Sequence, residues 1–402
     1  MEDLLFLAHR VPYPPNKGDK IRSFHLLQFL AERYRVHLGC FVDAPEDFEA
    51  AEALYEWVAD LHRVRIDPRR RRVSGLARSL LGGGSISRHY YADRRMQRFV
   101  DRKRAEGARL AVAFSSPMCQ FLEPCHGAFA RRIADFVDVD SLKWAQYADS
   151  KPWPVAPIYR LEHRRLAADE ARWSDESNAT LFVSEEEAEL FRGRHPNARA
   201  PVHAVGNGVD LEFFDPGLEF GSPYGQEGPN VVFVGAMDYW ANVDAVVWFA
   251  EAVWPRLRAQ VTGTRFFIVG MRPAAEVRRL GEVEGIHVTG AVDDVRPYVA
   301  HADCVVAPLR IARGVQNKVL EALAMARPVC ASRFALEGLA LPAALHREIC
   351  ATEAEETVHA VAEHLARPQG ERPHFRRFVK ERYSWAAQLA RVSEILEDDG
   401  YA

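Results

Sequence analysis

The sequence has few cysteines and no long apolar run, and each shortage excludes a class of protein. Its six cysteines in 402 residues include no Cys-x-x-Cys pair, and no histidine pair has zinc-site spacing. We therefore expect reduced cysteines in an apolar core. No stretch of about 18 apolar residues occurs, so no transmembrane helix is predicted. The chain enters a strand-like run at Leu4 without a basic leader, and we expect a cytoplasmic protein.

Charge is nearly balanced overall but is unevenly distributed along the chain. The formal net charge is −4, yet residues 61–110 carry 15 Lys and Arg against 4 Asp and Glu. Within that region, residues 63–104 interleave arginines with apolar side chains such as Leu80, Leu81 and Tyr90. Such a segment suits a peripheral contact with an anionic membrane surface, although an ordinary solvated face has the same composition. No nucleic-acid motif is present, so no nucleic-acid partner is expected.

Short apolar runs alternate with longer amphipathic runs, which predicts an α/β fold built from parallel sheets. Strands are predicted at 4–8, 36–42, 109–115, 132–137, 179–184, 230–235, 265–270, 286–290, 304–309 and 328–332. Helices are predicted at 20–34, 47–61, 92–106, 158–176, 185–194, 242–260, 273–282, 294–301, 315–326 and 353–366.

A Gly- and Pro-rich segment from residue 201 to residue 229 divides this pattern into two halves. Its composition is typical of a linker, so two doubly wound domains are predicted. We place the first domain at 1–205 and the second at 206–383, with a last helix at about 384–402 packing back on the first domain. Ligands of such domains bind at the carboxyl ends of the strands, which directs attention to the loops that follow them.

Two of these loops have features of anion sites. The loop after the first strand carries Lys17 and Gly18 at the start of a helix, where outward N–H groups attract anions. The loop after the predicted strand at 230–235 leaves that strand through Gly235. It leads into a helix with Asn242 at a predicted N-cap position. No G-x-G-x-x-G fingerprint follows, which disfavours a nicotinamide or flavin dinucleotide. A solvated loop in the first case and a simple capped helix in the second are the alternatives.

The third loop carries more charge. It follows the strand at 304–309, contains Arg310, Arg313 and Gly314, and leads into a helix with Lys318 and Glu321 near its start. Two arginines, a lysine and free helix amides suit a diphosphate, and a carboxylate one turn further suits sugar hydroxyl groups. An i, i+3 ion pair between Lys318 and Glu321 is the simpler alternative.

The pattern around this loop resembles the nucleotide-binding half of the retaining GT-B glycosyltransferases of family 4. The resemblance rests on 313-RGVQNKVLEALAMARPV-329, on the linker 207-NGVDLEFF-214 and on 290-GAVDDVRPYVAHADCVVAPL-309. Within the family, 137-VDVDSLKW-144 and 311-IARGVQNKVLEALAMA-326 look closest to the sugar transferases of exosortase (PEP-CTERM) exopolysaccharide systems. The resemblance implies two Rossmann-like domains that face a central cleft, the domain at 1–205 binding the acceptor and the domain at 206–383 binding the nucleotide sugar.

The resemblance also implies roles for individual residues. Glu321 would bind the ribose of a UDP or GDP sugar, and Gly18 would approach the phosphates from the opposite domain. The loop after Gly290, with Val292, would take the base. The diphosphate and donor sugar would be held by Lys318 and by the amides of Gly314, Val315, Gln316 and Asn317.

Two departures from the family pattern affect the donor site. The first glutamate of the family motif falls on Arg313, which could instead pair with a phosphate or with a carboxylated donor sugar. Basic residues that many members carry after the first strand of the second domain fall on Ala236 and Ala241. Positive charge would then come from Lys318, Arg310, the helix start at Asn242 and Lys17.

The expected reaction is transfer of a hexosyl group from a nucleotide sugar to a glycan or lipid-linked acceptor, with retention and in polysaccharide biosynthesis. No metal ligand cluster is evident, so neither a metal nor a cofactor is expected, and positioned charge would stabilise the departing diphosphate. Lys318, Glu321, Arg313 and Asp138 are the candidate catalytic residues, although Asp138 or Asp140 could instead cap a helix. A nucleotide-sugar 2-epimerase and a non-catalytic nucleotide-sugar or glycan-binding protein are the alternative functions.

Overall fold

A computed structural model describes residues 1–15, 18–123, 129–149, 152–153, 155–225, 228–312, 314–367 and 372–397. The chain forms two compact units. The first unit is Met1–Asn207 with the C-terminal segment from Gln388, and the second unit is Gly208–Ala387. Each unit contains a parallel sheet with helices, which confirms the predicted α/β class.

The first unit is organised around a parallel sheet that has seven strands within the described residues, in the order β3-β2-β1-β4-β5-β6-β7. Leu4 to Ala8 are fully buried, and such continuous apolar runs are typical of parallel strands covered on both faces. The strands are β1 Asp3–Ala8, β2 Arg35–Val42, β3 Asp60–Arg65, β4 Leu110–Phe114, β5 Arg131–Val137, β6 Ala179–Phe182 and β7 Val202–Ala204.

Helices connect these strands. They are α1 Gly18–Ala31, α2 Pro45–Ala50, α3 Pro68–Gly82, α4 Ile86–Tyr91, α5 Arg94–Ala105, α6 Asp140–Asp149, α7 Val155–Asp175 and α8 Glu185–Arg194, with 3₁₀ turns at Ala51–Glu56 and Ser116–Phe121. Local sequence sets several of their starts. Asp67 caps α3 by accepting hydrogen bonds from two backbone N–H groups, and Ser184 caps α8 in the same way with one.

The second unit has its own sheet, in the order β10-β9-β8-β11-β12. Its strands are β8 Asn230–Val234, β9 Arg265–Val269, β10 Ile286–Gly290, β11 Cys304–Ala307 and β12 Val329–Ala331. Its helices are α9 Trp240–Trp248, α10 Trp254–Gln260, α11 Ala275–Leu280, α12 Arg296–Ala300, α13 Asn317–Ala324, α14 Arg333–Leu336, α15 Ala343–Ile349, α16 Ala354–Ala366 and α17 Pro373–Arg382. The last helix, α18 at Trp385–Glu397, begins in the second unit and continues into the first.

The structure corrects several predicted elements. In place of the predicted helix at 47–61 the structure has α2, then a 3₁₀ turn, and then β3, which begins at Asp60. The buried Leu61 and Val64 of β3 are three residues apart, a spacing that also occurs on one face of a helix. The segment nevertheless forms a strand, because it pairs with β2. β7, which pairs with β6 inside the expected linker, was also missed.

The predicted helix at 242–260 is interrupted by a π-helical turn at Phe249–Val253. Pro255 lies in the first turn of α10, directly after this segment. A proline has no N–H group and crowds the carbonyl four residues earlier, so the regular hydrogen-bond ladder cannot pass through it. A local change of helix type in front of Pro255 is the result.

Candidate functional site

The loops that follow β8 and β9 lie against each other at the carboxyl edge of the second sheet. The Gly235 N–H donates to the carbonyl of Val269, and the Met237 N–H donates to the carbonyl of Met271, at 3.0 and 2.9 Å. A Cβ atom at Gly270 would overlap the carbonyl oxygen of Gly235. Only glycine allows this approach, so Gly270 is as necessary to the site as the predicted Gly235.

Asn242 links this loop pair to the rest of the site. It was predicted as the N-cap of α9, and this was wrong, because Tyr239 is the N-cap and Asn242 lies within the first turn. Its buried side chain donates through Nδ2 to the carbonyl of Ala236 at 2.9 Å and accepts through Oδ1 from Lys318 Nζ at 2.5 Å. The amide is therefore used to hold the lysine rather than to cap the helix.

Lys318 lies in the first turn of α13, on the helix face opposite the buried Leu320 and Leu323. Besides its bond to Asn242, its ammonium lies 4.7 Å from the centre of the Phe233 ring. Burial lowers the pKa of Lys318 to about 8, against the opposing effect of the nearby Glu321 charge. Within the described residues no carboxylate forms an ion pair with this half-buried lysine, and such a lysine is suited to bind an anion.

Glu321 lies one turn further along α13 and is half-buried. Burial raises its pKa to about 7, and the Lys318 charge opposes that rise. In the described part of the chain, no ion pair joins Glu321 to Lys318. The simple i, i+3 ion pair considered above is therefore not formed, and both groups remain available to a polar ligand.

The loop before α13 is shaped by two glycines. Gly314 has φ +63°, and a Cβ at Gly338 would lie 2.5 Å from the carbonyl carbon of Gly314. Gln316 is the N-cap residue of α13 in extended conformation, and its side chain makes no capping hydrogen bond. Amides at such an uncapped helix start can bind an anion. Val315 is half-buried, whereas Asn317 at the first helical position is exposed.

Arg310 has a partner that the sequence did not indicate. Its guanidinium makes a bidentate contact with Asp244 of α9, with Nε at 2.9 Å from Oδ2 and a second bond from Nη2 to Oδ1. Both side chains are partly exposed to solvent. Hydrogen bonding to Asp244 raises the pKa of Arg310. The positive charge expected from Arg310 is thus balanced by Asp244.

The remaining predicted residues lie in different surroundings. Gly290 has φ +72°, and Val292 packs partly buried against the core of the second unit. Arg313 and Lys17 lie outside the described residues. Gly18 is exposed at the start of α1, and a Cβ there would meet nothing within 4 Å.

Asp138 follows β5 in the first unit, directly after Val137 with φ +70°. Its carboxylate lies 2.7 Å from Lys143 Nζ, which also lies 2.9 Å from Asp140. These contacts raise the pKa of Lys143 despite its burial. Asp140 is the first residue of α6.

Sequence reasoning missed Glu170 of α7, beneath the start of α6. It is fully buried and accepts a hydrogen bond from the Ser141 N–H at 3.1 Å, and its other oxygen has no hydrogen-bond partner among the described residues. Burial raises the pKa of Glu170 to about 8. In the sequence Glu170 lies within an ordinary amphipathic helical pattern, which does not indicate that its carboxyl group is buried.

Membrane-spanning helices and metal clusters are both absent from the described residues. No described helix combines the length and the apolarity needed to cross a bilayer. Among the same residues, no group of three or more His, Cys, Asp or Glu side chains is arranged to hold a metal ion.

A family model matches part of the second unit. Residues 228–367 match the family model described as Glycosyl transferases group 1, which covers the second sheet and α13. No curated protein matches the chain.

Solved structures share the fold over nearly the whole chain at low identity. HepE of Anabaena, solved with UDP, is 12% identical with a TM-score of 0.58, covering 98% of this chain and 99% of its own. A trehalose-6-phosphate structure from E. coli, bound to UDP-2-fluoro glucose, is 10% identical with a TM-score of 0.61 and 99% coverage of both chains. A Rickettsia africae glycosyltransferase is 11% identical with a TM-score of 0.58 and the same coverage. The chain therefore has the GT-B fold of two Rossmann-like domains.

Proposed function

We propose that this chain is a glycosyltransferase that moves a hexosyl group from a nucleotide diphosphate sugar to a glycan or lipid-linked acceptor. The observation that carries the proposal is Lys318, half-buried and held by Asn242 at 2.5 Å beside the uncapped start of α13. A cation beside free helix amides at the carboxyl edge of a doubly wound sheet would suit a diphosphate, which supports the proposal. The match of residues 228–367 to a glycosyltransferase family supports the same reaction.

The donor would lie along α13. The amides from Gly314 to Asn317 and the Lys318 ammonium would bind the diphosphate, Glu321 would accept hydrogen bonds from the ribose, and the loop with Val292 would contact the base. UDP is the nucleotide we favour, because HepE and the E. coli protein were solved with UDP or a UDP sugar.

Charge placement would supply most of the catalysis. Negative charge develops on the diphosphate as its bond to the anomeric carbon breaks, and a preorganised cation nearby stabilises that change. Lys318, with a pKa of about 8 in the ligand-free site, gains its proton more fully as a phosphate approaches. Family resemblance supports retention without a metal ion and a role for Arg313 or Asp138 at the sugars.

The proposal of a lipid-linked acceptor is based on the surface of α3. This helix carries five arginines and no acidic residue, and it leaves Val73 72% and Leu81 91% exposed. Basic and apolar side chains on one exposed helix suit an anionic bilayer surface, with each Arg adding about 1 kcal/mol. We propose peripheral membrane binding and a lipid-linked acceptor in exopolysaccharide biosynthesis of the exosortase-associated kind. Sedimentation with phosphatidylglycerol vesicles should be lost in Leu80→Ser/Leu81→Ser, and equal sedimentation of both proteins would contradict this part.

Turnover tests the main proposal. With a UDP sugar and a lipid extract as acceptor source, UDP release should be abolished by Lys318→Ala and by Glu321→Ala. Lys380→Ala, which removes an exposed lysine of the same unit, is the matched control and should retain activity. Full activity in both site variants would overturn the proposal.

The same assay separates the alternative functions. Conversion of the UDP sugar into its 2-epimer in the absence of an acceptor, without net release of UDP, would favour a 2-epimerase. Calorimetric binding of UDP without turnover of any sugar donor would favour a non-catalytic binding protein.

A further inference from the structure

Three large apolar side chains are exposed beside the candidate site. Tyr239 and Trp240 are each 54% exposed at the start of α9, and Met271 is 50% exposed after β9. Together with Asp238 and Arg272 they form what we call the aromatic rim. The rim lies on the two loops that follow β8 and β9.

Hydrogen bonds hold the rim in place. Met237 N–H donates to the Met271 carbonyl at 2.9 Å, and Ala274 N–H donates to the Met237 carbonyl at 3.0 Å. Arg272 adds an ion pair with Asp238 at 2.9 Å. The exposed side chains are therefore displayed by two loops that are bonded to each other.

The backbone at the rim is also unusual. Arg272 has φ +52°, a conformation that few residues other than glycine adopt. Such positions persist where the surrounding structure holds them, and they are common at binding sites. The aromatic rings are exposed on two loops that are hydrogen-bonded to each other and that include a strained residue. This combination indicates a ligand-binding surface.

The chemistry of the rim identifies the class of ligand. The Asp238–Arg272 pair and the neighbouring Asp244–Arg310 pair each sum to zero charge, so neither pair favours an anionic lipid or a nucleic acid as the ligand. Tyr and Trp rings offer flat apolar faces with one polar atom at the edge. A pyranose ring is complementary to this surface, because it has an apolar C–H face bordered by hydroxyl groups that carboxylate and guanidinium can bind.

The position of the rim assigns the sugar a role. Tyr239 is the N-cap residue of the same helix whose Asn242 holds Lys318. A saccharide on the rim would therefore lie beside the diphosphate site and not within it. We infer that the aromatic rim is a saccharide-binding subsite that holds the glycan part of the acceptor. This inference rests on the proposed function.

Calorimetry with defined sugars tests it without requiring turnover. Cellohexaose, maltohexaose and isomaltohexaose are titrated into the UDP-saturated protein. At least one should bind with a dissociation constant near or below about 1 mM, and Trp240→Ala should weaken it about tenfold or more. Trp240→Leu, which keeps apolar area but has no flat ring, should weaken it as well. The affinity for UDP should stay within about twofold in both variants.

Tyr55→Ala is the matched control, since Tyr55 is an aromatic residue of similar exposure in the first unit. It should leave saccharide binding unchanged. UDP binding by the wild type without any binding of the three sugars would overturn the inference and leave the proposed function standing, whereas absence of UDP binding would overturn the proposed function itself.

Two further outcomes would also overturn the inference. If Trp240→Ala weakened the binding of a UDP sugar more than that of UDP and left oligosaccharide binding intact, the rim would hold the donor sugar. If Trp240→Ala instead abolished sedimentation with neutral phosphatidylcholine vesicles, with no change in oligosaccharide binding, the rim would be a lipid contact.

Discussion

Replacing Lys318 by methionine should abolish UDP binding without destabilising the ligand-free protein at neutral pH. Methionine keeps most of the length and apolar area of the lysine side chain and removes the charge that lies over the Phe233 ring. A lysine that served only the fold would behave in the opposite way, because its loss would remove a stabilising ion pair.

The expected magnitude follows from the pKa of Lys318, which falls from 10.5 to about 8 on folding. Such a shift corresponds to about 3 kcal/mol by which the charged lysine weakens the fold near pH 7. Losing the bond to Asn242 and leaving its buried oxygen unpaired costs about 1 to 3 kcal/mol. After allowance for the partial exposure of Lys318, the variant should be between equally stable and about 2 kcal/mol more stable near pH 7.

The pH dependence is the sharper measurement. Between pH 8 and 10.5 the unfolded wild-type chain binds more protons at Lys318 than the folded chain does, so wild-type stability rises with pH. The variant lacks this gain. In the variant Glu321 also loses the charge that lowers its pKa, so its ionisation becomes more costly as pH rises. The free energy of unfolding of the variant relative to wild type should therefore fall by about 2 kcal/mol from pH 7 to pH 9.5.

Urea unfolding at the two pH values and calorimetry with UDP provide the assays. Lys103→Met is the matched control, since Lys103 lies 2.8 Å from Asp60 and 2.7 Å from Glu106, and these partners raise its pKa. That variant should be destabilised and should bind UDP normally. Wild-type UDP affinity in Lys318→Met, or a destabilisation above about 2 kcal/mol with no pH dependence, would refute the reasoning.

Burial raises the pKa of Glu170 from 4.5 to about 8, so its contribution to stability is present below pH 4.5 and is lost as pH rises to 8. Glu170→Gln should therefore be about 3 kcal/mol more stable than wild type near pH 7 and nearly equal to it near pH 4.5 in urea unfolding, and a pH-independent difference would contradict this. Gly270→Ala should lose about 4 kcal/mol or more of stability because its Cβ would overlap a facing carbonyl, whereas Gly221→Ala, where a Cβ meets nothing within 4 Å, should keep the wild-type melting temperature. Asp244→Asn should free Arg310 from its counter-charge and tighten UDP binding about two- to fivefold in low salt, and an unchanged calorimetric affinity would mean that Arg310 does not reach the nucleotide.

Much of the fold was already set by local sequence. The apolar run from Leu4 to Ala8 can only be a buried strand, and Ser184 followed by an amphipathic run defines α8 at Glu185–Arg194, the predicted bounds. Lys318, Glu321 and Gly235 stood out as site candidates because they follow strands, and that position alone indicates the ligand-binding edge of a parallel sheet.

Tertiary structure decided what those residues do. Burial sets the pKa of Lys318, and neither this burial nor its bond to Asn242, 76 positions earlier in the chain, can be inferred from neighbours in sequence. The same holds for the partner of Arg310 and for the close approach of Gly270 to the β8 loop. Local sequence determines which residues can form a helix, a strand or a turn. The hydrogen-bond partners of a side chain and its burial depend on groups that only the folded sheet brings together. The chemistry of the site was therefore decided by the tertiary structure.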